Sequence, residues 1–144
     1  MRLNAMGLRR ARKLILAVSP ALFAACAGTP EIPPDTQAIR DYIEVGELPQ
    51  TDQMRTGGRD EWSAQTKHFA IYRGREGPVL LEFRQTCREM FDNTTITADR
   101  RYDQYIMRTG VDTLRGCRID KMYPLTEAQV QEIEALVKSA GAGN

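Results

Sequence analysis

Apolar residues fall into three spacings along this chain: an unbroken run near the start, alternating pairs in the middle and a helical stripe at the end. The run from Leu14 to Ala25 would span only about 18 Å as a helix, against a hydrocarbon core of about 30 Å. Pro20 weakens that helix further, so a membrane-spanning anchor is the minor reading. Ala27 to Gln37 holds Pro30, Pro33 and Pro34 with almost nothing apolar, the composition of an extended tether. Asp35 or Thr36 then caps a short helix reaching about Val45, because Ile39, Tyr42 and Ile43 lie at i, i+3 and i+4 and Gly46 follows. The letters Tyr42-Ile43-Glu44-Val45 also admit a short strand; Leu48-Pro49 ends the element either way.

From there the punctuation predicts a small antiparallel sheet. Thr51 to Thr56 forms a weak strand closed by Gly57-Gly58, and Trp62 follows in a polar loop as a plug for the core. Lys67–Arg73 and Val79–Arg84 form a hairpin around Gly74-Arg75-Glu76-Gly77-Pro78. Phe69 and Ile71 share one face of the first strand, and Val79, Leu81 and Phe83 one face of the second. A polar connection runs through Asp92-Asn93-Thr94-Thr95 to Arg100-Arg101, where Asn93-Thr94-Thr95 has the N-glycosylation acceptor pattern. Strands are expected at Gln104–Arg108 and Arg118–Tyr123, with an edge-like piece at Val111–Leu114 between them and Pro124 as a stop. The recurrence of Met54-Arg55-Thr56-Gly57 as Met107-Arg108-Thr109-Gly110 has unrelated flanks and reads as chance rather than a domain repeat.

The last element is the best specified. Thr126 and Gln129 make a capping box, and Leu125 with Val130 occupies the staple positions. Val130, Ile133, Leu136 and Val137 continue as one stripe, and Gly141 ends it. The expected fold class is α+β: a small antiparallel β-sheet packed by a C-terminal helix and a short N-terminal helix. The expected segments are 1–25 signal peptide, 26–37 lipidated cysteine and tether, 38–140 a single domain and 141–144 a disordered tail.

Charge turns the apolar run into an export signal. Arg2, Arg9, Arg10, Arg12 and Lys13 precede it, and no acidic residue occurs before Glu31. Its end, Phe23-Ala24-Ala25-Cys26, resembles a bacterial lipobox, with Phe23 where leucine is usual. The resemblance implies that Cys26 is lipidated and begins the mature chain; the alternative is an ordinary signal peptide and a soluble periplasmic protein. Ala27 stands where inner-membrane retention would need Asp, so the implied address is the periplasmic face of the outer membrane. With the five leader cations gone, 15 basic residues face 19 acidic ones, a net −4 that argues against nucleic acid. Residues 27–54 carry one Arg against six acids, whereas 55–121 carry 13 basic against 10 acidic, so Arg73, Arg84 and Arg88 are weak candidates for an anion site.

Assigning Cys26 to lipid leaves Cys87 and Cys117, an even pair for which an oxidising compartment makes a disulfide the default. Closing about 30 residues would contribute about 3–4 kcal/mol. No CxxC spacing occurs, and these cysteines with the lone His68 supply too few ligands for a metal, so no metal or cofactor is expected. His68 reads as a satisfied structural residue, and no Ser-His-Asp order, HExxH, P-loop or paired-carboxylate motif appears, so no catalytic residue is assigned and the chain reads as a non-enzyme.

The elements from Trp62 through Phe69-Ala70-Ile71-Tyr72-Arg73, Leu80-Leu81-Glu82-Phe83, Cys87, Gly110-Val111-Asp112 and Cys117-Arg118-Ile119 to Tyr123-Pro124-Leu125 resemble a family of small proteobacterial lipoproteins of unknown function. The similarity covers about residues 38–137 and implies an exported, cysteine-paired α+β domain, with no activity or site residues carried across. Two roles follow: a lipid-anchored module binding an envelope protein or glycan from its sheet surface or hairpin tip, or a small inhibitor or accessory subunit of an envelope enzyme.

Overall fold

A computed structural model describes residues 31–56, 61–91, 100–101 and 105–142. The expected signal peptide, Cys26, Gly57-Gly58, Gln104 and the Asn93-Thr94-Thr95 triplet lie outside the described residues. Contacts divide the chain between Pro30 and Glu31, and every described element belongs to the second unit. Helix α1 spans Pro34–Val45 and α2 spans Glu127–Gly141. Between them lie β1 (Gln53–Arg55), β2 (Glu61–Ala64), β3 (Phe69–Gly74), β4 (Gly77–Phe83), β5 (Arg100–Arg101), β6 (Ile106–Arg108), β7 (Thr113–Leu114) and β8 (Cys117–Pro124). No helix among the described residues is long and apolar enough to cross a membrane.

The fold is α+β, as the spacing predicts. Six strands form one antiparallel sheet in the order β2-β3-β4-β8-β7-β5, and β1 pairs with β6 in a separate ribbon. A bridge between Thr51 and Met122 ties the approach to that ribbon to β8. The hairpin is tighter than expected. Gly74 pairs with Gly77, leaving only Arg75 and Glu76 in the turn, and Gly77 takes a φ of +119° that a side chain would resist.

Register decides where the apolar residues go. Ile71 faces Leu80 and Tyr72 faces Val79, so the stripe of Phe69 and Ile71 lies on the opposite side of the sheet from Val79, Leu81 and Phe83. Each side has its own core. On the helix side, Phe69, Ile71, Leu80 and Tyr123 pack with Ile39, Leu125, Val130 and Ile133. On the other, Tyr72, Leu81, Phe83, Ile119 and Met122 pack with Met54 and Met107 of the ribbon and with both cysteines. A register shift after Glu82 moves β8 by one residue, so Phe83 faces Ile119 rather than Asp120 and both stay in that core.

Several expectations shift in detail. Helix α1 starts inside the expected tether: Pro33 is its N-cap and Pro34 opens it, because proline's fixed φ and missing N–H suit a first turn. Asp35 and Thr36 lie within that turn rather than at the cap, and the Asp35 carboxylate accepts from the Thr36 amide at 2.6 Å. Trp62 is not in a loop; it sits on the edge strand β2 opposite Tyr72, half-buried against the ribbon-side core. Arg100-Arg101, read as a polar connection, pair with Thr113 and Leu114 as β5. The repeated Met-Arg-Thr-Gly has a structural counterpart: Met54 lies directly opposite Met107 in the ribbon, both buried. Helix α2 is capped as expected, with the Thr126 hydroxyl accepting from the Gln129 amide and the Gln129 side chain accepting from the Thr126 amide. It runs through Gly141, one residue beyond the expected end of the domain.

Cys87 and Cys117 form the disulfide, with Cα atoms 5.8 Å apart. It joins the segment following β4 to the start of β8, the two neighbours at the middle of the sheet. The Cys87 amide also donates to Lys67 O at 2.7 Å, so the clip holds the chain on both sides of the hairpin.

Candidate functional site

Both helices bury one stripe on the sheet and leave a second stripe beside it. On α1 the buried stripe is Ile39 with part of Ile43, and the neighbouring positions are Ala38, Asp41, Tyr42 and Val45, spaced i, i+3, i+4 and i+7. On α2 the core takes Val130 and Ile133, and Gln129, Glu132 and Leu136 stand beside them. These second stripes wall an open groove of about 580 Å³, closed at one end by Gly46 and Leu48. Ala38, Val45, Leu48, Leu136 and the Tyr42 ring supply apolar surface, and Val45 is 86% exposed.

The charged groups lining the groove are acidic, beside the neutral Tyr42 and Gln129. Tyr42 O–H donates to Glu132 Oε2 at 2.5 Å, a bond that spans the two helices. Burial, together with this carboxylate, pushes the Tyr42 hydroxyl up to about 12. Asp41 accepts from the Gln37 side chain at 2.6 Å. Among the described residues the lining holds two carboxylates and no cation. Arg40, the one basic residue of α1, reaches instead towards Glu82.

Glu82 anchors a second polar group on the helix side of the sheet. Its side chain is only 13% exposed, with Arg40 at 3.9 Å and Lys121 at 3.4 Å. Tyr123 O–H donates to it at 3.2 Å, and burial first, then Glu82, pushes that hydroxyl up to about 12. His68 lies nearby with Nε2 3.2 Å from the Thr86 hydroxyl, and burial first, then Arg40, lowers its pKa while Glu82 and Asp35 oppose the shift. With two cations and a phenol around it, this carboxylate holds neighbouring elements together.

The three candidate arginines are not brought together. Arg73 Nη1 donates to both oxygens of Glu127, at 2.8 and 2.9 Å, and ties β3 to the first turn of α2. It also lines a shallow recess of about 210 Å³ with Glu61, Trp62 and Ser63, so two carboxylates oppose it. Arg73 faces Pro78, whereas Arg84 follows the far end of β4, six residues on and about 20 Å along an extended strand. Arg84 and Arg88 are exposed there. Cys87, Glu89 and Cys117 place ligand atoms within 4.8 Å of one another, but both sulfurs are engaged in the disulfide. The Arg115 guanidinium sits 5.5 Å from the Trp62 ring centroid, a cation–π contact across the ribbon-side core.

Of the two expected binding surfaces, the hairpin tip at Arg75-Glu76 is exposed, whereas the central sheet is covered. Neither face of the central strands is open, because helices cover one and the methionine ribbon the other. The sequence does carry the groove's signal, since Ala38, Asp41, Tyr42 and Val45 form a second helical stripe. What it lacks is the placement of α1 beside α2.

These features define an α+β domain with a core on each side of its sheet, clipped by one disulfide, whose open apolar surface lies between its helices. The chain belongs to DUF6491, a family of unknown function whose model matches residues 9–141. No curated protein and no solved structure matches it.

Proposed function

We propose that this protein is an exported lipoprotein of the bacterial envelope that acts as a non-catalytic binding module, with the groove between α1 and α2 as its binding surface. The address rests on the leader. Its basic start, its short apolar run and Phe23-Ala24-Ala25-Cys26 together make a lipidation signal, and the family match begins at residue 9, so the apolar run and Cys26 lie within the matched span. Lipid on Cys26 and the proline-containing segment to Pro33 then hold the domain up to about 25 Å from the outer membrane on its periplasmic side. The observation that carries the binding role is the groove: about 580 Å³ of mostly apolar lining on a domain that otherwise buries both faces of its central strands.

Replacing the cysteine tests the anchor. Cys26→Ser should abolish acyl labelling and move the protein from the membrane fraction to the soluble periplasm. Unchanged membrane attachment of that variant would overturn it.

A further inference from the structure

We infer that the groove between α1 and α2 takes a cationic amphipathic segment of a partner protein, laid along the groove with apolar side chains on its floor and Lys or Arg at its rim. This rests on the reading of the groove as the binding surface and adds the chemistry of its occupant. Charge decides among the possible occupants. Asp41 and Glu132 are the ionisable groups other than Tyr42 in the lining, and among the described residues no cation stands with them. Helix α1 adds to the same potential: its last turn carries no basic residue, so the negative end of its macrodipole lies uncompensated beside Glu44. A fatty acid or a phospholipid would bring its own negative head to this rim and be repelled. A glycan would find Ala38, Val45, Leu48 and Leu136 where it needs hydrogen-bonding groups. A segment with one apolar and one basic face satisfies both halves.

The dimensions agree with a helix-in-groove mode. Ala38 to Val45 covers two turns, about 10 Å, so the groove admits two or three apolar anchors at i, i+3 or i+4, and i+7. The Tyr42–Glu132 bond fixes a carboxylate on the α2 wall, which reduces the ordering needed when a cation arrives.

The test uses the mature chain and three fluorescent synthetic helices that share a leucine face and carry lysine, serine or glutamate on the other. The lysine helix should bind, weaken with added salt, and beat the glutamate helix by at least about tenfold. Asp41→Lys and, separately, Val45→Asn should each weaken it by about tenfold; both positions are exposed, and an unchanged melting temperature would show that each variant is folded. Equal binding of all three helices, lost in Val45→Asn, would overturn the cationic preference and leave the groove as the binding surface. Binding indifferent to both substitutions, or no binding of any helix, would overturn the inference together with the groove reading. A dimer abolished by Asp41→Lys would assign the groove to a second copy of the chain and overturn the proposed partner.

Discussion

The two sides of the sheet solve the same burial problem differently. On the ribbon side, Met54 and Met107 lie opposite each other over Tyr72, Leu81 and Met122, and the disulfide closes the end. Methionine is flexible enough to fill the irregular space under a two-stranded cover. On the helix side, two rods touch the sheet along one stripe each, so their flanks leave a trough. One side is finished as a core, and the other retains an open apolar surface, the one assigned above to the proposed partner.

The largest effects should come from the cores, and they should be alike on both sides. Leu80→Ala on the helix side and Leu81→Ala on the ribbon side should each cost about 2–5 kcal/mol in urea unfolding, since both side chains are fully buried. Leu136→Ala, at the half-buried groove wall, should cost well under half as much. Equal losses at Leu80 and Leu136 would mean that the groove is part of the core.

Next comes the clip. Reducing the disulfide, or making Cys87→Ser with Cys117→Ser, should remove about 3–4 kcal/mol in the chain-entropy account. Thiol labelling of the denatured, unreduced mature protein should find both cysteines blocked. Two free thiols would break the contrast between a clipped side and an open one.

Alkaline titration reads the helix side, where both shifted tyrosines lie, by a smaller effect. Tyr42 and Tyr123 are each raised from 10.0 to about 12, so the folded state holds both protons more tightly than the unfolded chain. The associated stability is fully present below pH about 10 and is lost as pH rises towards about 12. Tyr42→Phe should flatten part of that loss while leaving the buried cores intact, read as melting temperature against pH. His68 works at the other end. Its folded pKa is lowered, so the unfolded state binds more protons, and stability should decline as pH falls below about 6.5. A His68→Gln variant with an unchanged acid limb would contradict that assignment.

Local chemistry made the hairpin and α2 legible, because a glycine-flanked turn and a capping box are signals within a few residues. Long-range pairing hid the rest. Nothing near Trp62 announces a strand; Glu61–Ala64 becomes one only by lying beside β3. The two-residue strand β5 is too short to show a period, whereas β7 falls within the expected edge-like piece at Val111–Leu114, and the shift at Glu82 is visible only against β8. The arginine set is split for the same reason, since register sends Arg73 and Arg84 to opposite ends of the hairpin. The groove was half legible: each wall is a stripe in the sequence, but their meeting depends on tertiary packing.

The most direct measurement compares the groove with the hairpin tip in cells. A photo-crosslinking residue is placed at Val45, on the groove, or at Arg75, in the turn. The account predicts a discrete crosslinked partner from Val45 that disappears when Asp41→Lys is added, and none from Arg75. A partner captured from Arg75 alone, or one from Val45 that ignores Asp41→Lys, would contradict it.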